Sequence, residues 1–433
     1  MGNPKRPSRK AIGTTEGSVH VINADLLIPG RGDPLSNAAV VYDTRTILYV
    51  GPQADIPDCY NSLDRAHVPV LMPGLWDCHV HLLGLAEGVS GLWKLNPIVS
   101  GARSVRDLEL LLNAGYTSVR ECGGNGIFLD QVVEDGYCIG PKIYSCGSVI
   151  SCTGGHADAH DIPLSTWQDS CSGGLQCHLC DGVDECTKAV RLQARKGAKF
   201  IKICASGGVL SQNDNPKHQQ YSAAELKAFV DEAALSERIV AAHCHGKAGI
   251  IAALKAGART IEHGTYLDLE CVTMMKEKGA ILVPTRTLHE VLRSGLSATS
   301  ATKMIDASQH LRIACQLAIQ HGVTMALGSD LGMSIRGHPA AHGQNALELS
   351  LAVDAGMSPL AAIEAATANG PLTLGAQAPR SGQIAVGYDS DFIALSSSPL
   401  EDINVLVDPD NITHVWRQGT LYKGSNGTGT SMH

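Results

Sequence analysis

Six polar residues have side chains of the types that hold divalent metal ions, and each lies at or near the end of a short apolar segment. They are His79, His81, Lys202, His243, His263 and Asp330. Residues two apart in a β-strand share a face, so His79 and His81 are expected to present two imidazoles to one site. Imidazole and carboxylate ligands suit Zn²⁺ or a similar ion. The pattern therefore predicts a metal centre.

Lys202 gives a physical argument of its own. It lies between Ile201 and Ile203, so strand alternation turns its side chain to the opposite face and into the protein. A buried ammonium group without a partner is costly. Taken singly, a histidine in an apolar strand is more often a core residue, and a strand-end aspartate is usually a turn residue. Four histidines, a lysine and an aspartate on neighbouring strand ends favour one site over separate structural roles.

The elements that must position these residues follow from the alternation along the chain. Of the 433 residues, those from 71 to 377 alternate eight short apolar segments with helical stretches, several of which end in glycine. This pattern predicts the α/β class and a (β/α)8 TIM barrel, whose active-site residues collect at the carboxyl ends of the strands. A doubly wound open sheet is the alternative, but no G-x-G-x-x-G motif follows a first strand.

Both ends of the sequence differ from the middle. Residues 18–70 and 378–424 contain short strand-like segments separated by turns. We therefore expect a small β-sandwich domain built from both termini beside a catalytic barrel of residues 71–377. Residues 1–17 and 425–433 are expected to be a disordered N-terminal tail and a C-terminal tail.

The composition narrows the classes of partner. The chain has 34 Lys and Arg against 42 Asp and Glu, a net charge of −8, without long basic blocks. This balance argues against nucleic acid, and no apolar run is long enough to span a membrane. The first residues lack the apolar stretch of a secretory signal, so a cytoplasmic location is predicted.

Fourteen cysteines without a secretory signal predict reduced thiols. Four of them crowd the segment CSGGLQCHLCDGVDEC together with His178. Cys177 and Cys180 have the C-x-x-C spacing, so a structural zinc knot is one interpretation. The favoured interpretation is a flexible insertion with free thiols, because Cys171 and Cys186 stand apart from that pair.

The order of the six residues along the chain resembles the metal-dependent amidohydrolase superfamily. The lead-in to its D-x-H-x-H motif is present as PGLWDCHVH. The segments KICASGGVLSQNDNP, AAHCHGKAGI, TIEHG and ALGSD are most similar to the branch of fungal ochratoxinase and the Xaa-Pro-dipeptidase-like carboxypeptidases. The resemblance runs from about residue 18 to residue 424 and implies the same barrel with a small β-domain.

The resemblance also implies a binuclear metal centre, with Zn²⁺ as the expected metal. In that family pattern His79, His81 and Asp330 bind the first ion, His243 and His263 bind the second, and an N-carboxylated Lys202 bridges the two. Lys202 and Asp330 are the implied catalytic residues. Asp330 would act as proton shuttle, taking a proton from the attacking metal-activated hydroxide and delivering it to the leaving nitrogen.

The implied activity is hydrolysis of the amide bond of N-acyl amino acids or dipeptides, with release of the C-terminal amino acid. Ochratoxin A is included among the expected substrates. The implied substrate-binding residues are His245, Tyr221 and His156. For Tyr221 an equally good interpretation is a residue that only precedes the helix cap Ser222, since S-A-A-E is a capping box.

Two alternatives remain open at this point. A cyclic-amide hydrolase of the imidazolonepropionase or hydantoinase type would use the same metals without a pair of residues for a substrate carboxylate. A non-catalytic scaffold on the same fold is disfavoured because all six ligand positions carry competent side chains. The expected partner is a small amide or dipeptide, and the resemblance implies a homo-oligomer such as an octamer.

Overall fold

The computed structural model describes residues 18–86, 91, 94, 96–172, 177–211, 213–292, 296 and 298–424. The two predicted tails, residues 1–17 and 425–433, lie outside the described residues. Among the described residues, no helix combines the length and apolar composition that crossing a membrane requires.

The described strands form three hydrogen-bonded sheets. The strands are β1 (His20–Leu27), β2 (Leu35–Tyr42), β3 (Ile47–Pro52), β4 (Arg65–Pro73), β5 (Leu75–Leu85), β6 (Tyr116–Glu121), β7 (Lys142–Ser145), β8 (Val149–Ser151), β9 (Cys177–Leu179), β10 (Ile201–Cys204), β11 (Val240–Cys244), β12 (Thr260–His263), β13 (Ile281–Val283), β14 (Leu331–Met333), β15 (Phe392–Leu395), β16 (Ile412–Arg417) and β17 (Thr420–Lys423).

The described α-helices lie mostly between the strands of the middle region. They are α1 (Pro97–Asn113), α2 (Gly126–Glu134), α3 (Leu164–Ser172), α4 (Val183–Lys196), α5 (Ala223–Ala234), α6 (Lys247–Ala256), α7 (Leu269–Lys278), α8 (Arg286–Val291), α9 (Ala298–Gln320), α10 (Leu347–Asp354) and α11 (Pro359–Ala365). Glycines end several of them just before a strand, as predicted. Gly197 and Gly257 take the left-handed conformation after α4 and α6, which glycine adopts without steric cost.

The two ends of the described chain meet in one seven-stranded sheet. Its order is β17-β16-β15-β4-β1-β2-β3, and β15 joins the C-terminal strands to the N-terminal ones by antiparallel pairing with β4. Strands from both ends therefore share one sheet separate from those of the middle region, while the β-sandwich domain of residues 18–70 and 378–424 stays a prediction. The seven-stranded sheet is continuous and has buried apolar residues on both faces, such as Val40 on one and Val41 on the other.

The middle of the chain forms two parallel sheets. One has the order β14-β5-β6-β7 and the other the order β13-β12-β11-β10-β8-β9. Backbone hydrogen bonds link them directly at one side, where the amide of Lys199 donates to the carbonyl of Ser145 on β7 (2.8 Å). At the other side residues 324–327 lie between the sheets: the amide of Leu282 on β13 donates to Thr324 (2.9 Å), and the amide of Cys78 on β5 donates to Leu327 (2.9 Å). These parallel sheets with intervening helices confirm the predicted α/β class.

Two strand predictions differ from the structure. The predicted eighth strand, TMALGSD, forms a single bridge at Met325 rather than a regular strand, although Leu327 accepts a hydrogen bond from the amide of Cys78 on β5. The cysteine-rich segment, predicted to be a flexible insertion, contributes β9. This strand forms because it pairs in parallel with β8, through Ile150 opposite His178, a contact that local sequence does not encode.

Strand alternation in β10 positions Lys202 as predicted. Ile201 and Ile203 lie in an apolar cluster with residues of the surrounding helices, such as Phe229 on α5. Lys202, between the two isoleucines, is 2% exposed and points to the opposite face. The packing of the outer layer therefore fixes which side chains face the interior of the parallel sheets.

Candidate metal centre

The first predicted ligand set comes together in the middle of β5, where Val80 pairs with Glu121 at the carboxyl end of β6. Nε2 of His81 lies 3.0 Å from Oδ1 of Asp330, and Nε2 of His79 lies 3.5 Å from the same oxygen. One ligand atom from each of the three residues lies within 4.8 Å of the others. Two imidazoles and a carboxylate at this spacing can share one divalent ion.

The second set lies at the ends of β11 and β12. His243 and His263 come together as predicted, and His245 joins them, with the three ligand atoms within 4.8 Å of one another. The rings of His79 and His263 are 5.0 Å apart, and Nδ1 of His263 lies 3.9 Å from Oδ2 of Asp330. The two ligand sets therefore adjoin, and Asp330 faces both.

Lys202 also lies beside the first ligand set. Its Nζ lies 3.3 Å from Nε2 of His79, the ring nitrogen that faces Asp330. All six predicted ligands are thus brought to one region by the middle of β5, by β10, by the ends of β11 and β12 and by the segment before β14.

A second layer of hydrogen bonds orients the histidines. Nδ1 of His79 donates to Glu262 (2.8 Å), Nδ1 of His81 donates to the carbonyl of Gly123 (2.7 Å), and Nδ1 of His263 bonds to the hydroxyl of Thr285 (2.7 Å). Engaging Nδ1 leaves Nε2 available as the ligand atom, which is the usual arrangement at protein metal sites.

Glu262 and Arg120 were missed by the sequence analysis. Arg120 binds both carboxylate oxygens of Glu262 at 2.6 Å and donates to the carbonyl of Cys78 (2.6 Å), and neither charged side chain is exposed. An arginine within the apolar strand TSVREC was the available signal, because a buried guanidinium needs a partner. For Glu262 the sequence offered only one signal, its position directly before His263.

Asp77 supports the first ligand set by accepting hydrogen bonds from the segments that carry His79 and Asp330. Its carboxylate accepts hydrogen bonds from the amides of His79 and Ser329 (both 3.0 Å), from the hydroxyl of Ser329 (2.5 Å) and from Asn345 (2.8 Å). Because Ser329 directly precedes Asp330, this carboxylate fixes the distance between His79 and Asp330. Gly328 permits the close approach, since a Cβ there would lie 2.7 Å from Cβ of His79.

The backbone at two ligands is unusual. His263 has φ of 68° and Asp330 has φ of 59°, in the left-handed region that residues other than glycine seldom adopt. Such conformations are held by surrounding contacts and cluster at functional sites. The strain supports the assignment of these two residues to the site.

Burial keeps three of the four predicted ligand imidazoles neutral, whereas at His81 burial is outweighed by Asp330, which raises the pKa of that imidazole. Burial lowers the pKa of His79 to about 4, and burial together with neighbouring imidazoles lowers the pKa of His243 and His263 well below the ordinary value. Burial opposes ionisation of Asp330, yet His79 and His81 hold the pKa of this carboxyl below its usual range. Neutral imidazoles beside an ionised carboxylate are the protonation states in which these groups bind metal, so the donor set fits divalent ions.

Two of the three predicted substrate residues lie beside the ligands. The ring of His245 stacks on His263 at 4.8 Å, and the ring of His156 stacks on His243 at 4.2 Å. His289, which the sequence analysis missed, is buried with its ring 6.5 Å from that of His245. It lies on α8, directly after β13, and no motif marked it in the sequence.

Tyr221 lies elsewhere, which corrects the prediction of a substrate contact. Its side chain is 2% exposed and packs against Phe229 in the outer apolar cluster, and its hydroxyl lies 3.3 Å from the carbonyl oxygen of Cys180. Ser222 caps α5 with the predicted capping box through Glu225. Tyr221 therefore faces the helices rather than the metal ligands, and its structural interpretation is the one that fits.

The cysteine-rich segment offers no comparable ligand set among its described residues. Cys180 and Cys186 have sulfurs 3.9 Å apart, and Sγ of Cys180 also lies 3.6 Å from the hydroxyl of Tyr221. Sets of three close ligand atoms in the described part of the chain all lie around the strand ends of the metal centre. A zinc knot is therefore not supported.

A family model and a curated relative both match most of this chain, and they indicate the same family. The model of the amidohydrolase family matches residues 70–422. The chain is 47% identical to ochratoxinase from Aspergillus niger over 433 residues, covering 95% of this chain and 88% of the relative.

Solved structures agree over nearly the whole chain. The crystal structure of A. niger ochratoxinase has a TM-score of 0.89 at 45% identity and covers 96% of this chain and 98% of its own. A prolidase complexed with N-methylphosphonate-L-proline has a TM-score of 0.86 at 32% identity and covers 94% and 100%. By these matches the chain belongs to the amidohydrolase family and is a hydrolase of amide carbon–nitrogen bonds.

Proposed function

We propose that this protein is a binuclear metal-dependent amidohydrolase that releases the C-terminal amino acid from N-acyl amino acids or dipeptides. The observation that carries the proposal is the convergence of two ligand sets on Asp330, with His156 and His245 beside the second set. Ochratoxinase and the prolidase support this substrate class, because both names denote cleavage of an amide to an amino acid. Ochratoxin A is accordingly a candidate substrate.

The same family likeness supports a closed (β/α)8 barrel for the two parallel sheets. The residues that would hold the two ions are His79, His81, Lys202, His243, His263 and Asp330. When bound, divalent ions of this kind polarise an amide carbonyl and lower the pKa of water. Zn²⁺ is the proposed metal because the donors are mostly imidazole nitrogens.

Lys202 is proposed to be N-carboxylated. Carboxylation requires the neutral amine and replaces a buried cation by an anion with two oxygens. Nζ of Lys202 lies 3.3 Å from a ring nitrogen of His79, where a cationic ammonium would sit beside the first ion. An anion at this position removes that repulsion and adds ligand oxygens.

Asp330 is proposed to move the proton. Its carboxylate is ionised, 14% exposed and close to both ligand sets, so it can accept a proton from the attacking water. It then donates this proton to the leaving nitrogen, which is a poor leaving group without it. Glu262 and Asp77 keep the surrounding histidines in place during the transfer.

His245 and His156 are proposed to bind the substrate carboxylate. Nδ1 of His245 bonds to the hydroxyl of Thr265 (2.7 Å), and Nδ1 of His156 lies 3.0 Å from the hydroxyl of Ser211. Nε2 of His245 can donate to a ligand when Nδ1 accepts from Thr265. Ser211 donates its hydroxyl to Asp214, so Nδ1 of His156 donates to Ser211, and Nε2 of His156 donates to a carboxylate in the imidazolium form that a bound anion favours.

The test is release of free amino acid from a panel of N-acyl amino acids, dipeptides and ochratoxin A in the presence of Zn²⁺. We expect one class of C-terminal residue to be released, and we expect Lys202→Ala to abolish this release. Lys227→Ala, which removes an exposed lysine paired with Asp231 on α5, is the matched control and should leave turnover unchanged.

Two outcomes would contradict the proposal. Hydrolysis of cyclic amides without release from any panel member would establish the imidazolonepropionase or hydantoinase type of activity. Protein without metal after expression with added Zn²⁺ would favour the non-catalytic scaffold. Mass measurement of the intact protein for one added carboxyl group tests the modification of Lys202, and sedimentation tests the expected homo-oligomer.

A further inference from the structure

Lys303 on α9 has contacts that the metal centre does not explain. Its Nζ donates to three backbone carbonyls, those of Gly208 (3.0 Å), Ser211 (2.6 Å) and Asp214 (3.1 Å). The same ammonium lies 3.5 Å from Oδ1 of Asp214, and the lysine side chain is 15% exposed. An ammonium has three donors, so these carbonyls satisfy it fully and fix the curvature of the loop after β10.

Asp214 connects Lys303 to further residues of the same loop. Its side chain is 4% exposed and accepts hydrogen bonds from the amide of Gly208 (2.8 Å), the hydroxyl of Ser211 and the side chain of Gln220 (3.3 Å). A buried carboxylate surrounded by donors, with one ammonium beside it, is a rigid arrangement. Without the ammonium, the carboxylate would lose its nearest cation.

The loop then sets the position of His156. The hydroxyl of Ser211 lies 3.0 Å from Nδ1 of His156, and Oε1 of Gln220 accepts from its amide (3.1 Å). Gly208 packs directly against the imidazole, because a Cβ there would lie 1.8 Å from Nδ1. On its other side the ring stacks on His243 at 4.2 Å with an interplanar angle of 15°.

We propose that Lys303 is a positioning residue for substrate binding, which fixes the loop of Gly208, Ser211 and Asp214 so that His156 is held against His243. The inference rests on the proposed role of His156 in binding the substrate carboxylate. Lys303 acts through the loop and makes no contact with the reacting atoms. Its effect therefore falls on substrate affinity rather than on the chemical step.

The variant Lys303→Met removes the charge and all three donors but keeps an unbranched apolar chain. We expect KM for an N-acyl amino acid to rise about tenfold, equivalent to about 1.4 kcal/mol, while kcat changes less than about twofold. Metal content should match the unmodified protein. Lys227→Met, at an exposed lysine on α5, is the matched control and should leave both constants unchanged.

A double-mutant cycle separates positioning from a general loss of structure. If Lys303 acts through His156, the double variant Lys303→Met/His156→Ala should have the KM of His156→Ala alone. If the KM of the double variant instead equals the product of the two single effects, the proposal is overturned. An unchanged KM in Lys303→Met would also overturn it. Equal loss of kcat and metal in that variant would also overturn it.

Hydrogen exchange gives a readout that does not depend on activity. Peptides covering residues 207–218 should exchange faster in Lys303→Met than in Lys227→Met, while those of β11 remain unchanged. If no amide is cleaved by the unmodified protein, the proposed function fails, and this measurement still decides the structural role of Lys303. Unchanged exchange in the loop would show that Lys303 does not hold it.

Discussion

The two halves of the metal centre are supported in different ways. The set of His79, His81 and Asp330 rests on buried charged groups, since Glu262 pairs with Arg120 and also binds His79. The second set rests on neutral groups. His263 bonds to the hydroxyl of Thr285, and His245 to that of Thr265.

This difference has a physical meaning. Buried ionic contacts fix geometry, because removing one partner leaves an uncompensated charge, whereas a hydroxyl can rotate or be replaced by water. The charged half is suited to hold an ion and the carboxylate of Asp330, the proposed proton shuttle, in place. The neutral half includes His245 and lies next to His156, the two residues proposed to bind the substrate carboxylate. The predictions below test this contrast, beginning with the largest expected effect.

Asp330→Asn is expected to abolish most of the activity. The amide keeps the shape of the side chain but cannot accept and return a proton, and it is a weaker metal ligand. A loss in kcat of about 10³- to 10⁴-fold is expected, in the upper range of general acid–base effects. Steady-state kinetics with parallel metal analysis measure it. A variant that retains full metal and more than a tenth of the activity would remove Asp330 from the proton transfer.

Glu262→Gln is expected to damage both stability and metal binding. It leaves the fully buried Arg120 without its ionic partner, which typically costs about 3–5 kcal/mol. Loss of the carboxylate that orients His79 should also weaken metal affinity by about 10- to 100-fold. Urea unfolding and metal titration measure the two effects. Glu232→Gln, which breaks an ion pair with the exposed Arg191, is the control and should cost less than about 1 kcal/mol.

Thr285→Val is expected to weaken the second set selectively. The change removes the hydroxyl that orients His263 but preserves the side-chain shape. We expect about tenfold weaker binding of one ion, with the other retained. Dialysis against a graded series of chelator concentrations should show the two ions leaving at more widely separated concentrations than in the unmodified protein. Simultaneous loss of both ions would contradict the proposal that the two ligand sets are supported independently.

Tyr221→Phe is expected to have the smallest effect. Because the hydroxyl contacts Cys180 in the outer layer and not the metal ligands, kcat and KM should stay within about twofold, and stability should fall by about 1 kcal/mol. Kinetics on a carboxylate-bearing substrate measure the first and urea unfolding the second. A large rise in KM would return Tyr221 to the substrate site.

The sequence by itself predicted which side chains come together at the candidate metal centre. His79 and His81 are two apart in a strand, and Lys202 lies between two isoleucines, so alternation alone decides where these side chains point. The alternation of strands and helices likewise determined the α/β class, and the strand-like ends predicted a shared sheet. These properties are local, because each depends on neighbours along the chain.

Only the tertiary structure decided what supports and surrounds the ligands. Arg120 meets Glu262 across 142 positions of sequence, and Ser329 meets Asp77 across 252. No local pattern encodes such pairs, since they arise when distant strands become neighbours. Tyr221 shows the converse: the family resemblance implied a place in the active site, but the packing of α5 turned it outward. Spacing fixes the face on which a residue lies, whereas the residue it contacts across that face depends on how the whole chain packs.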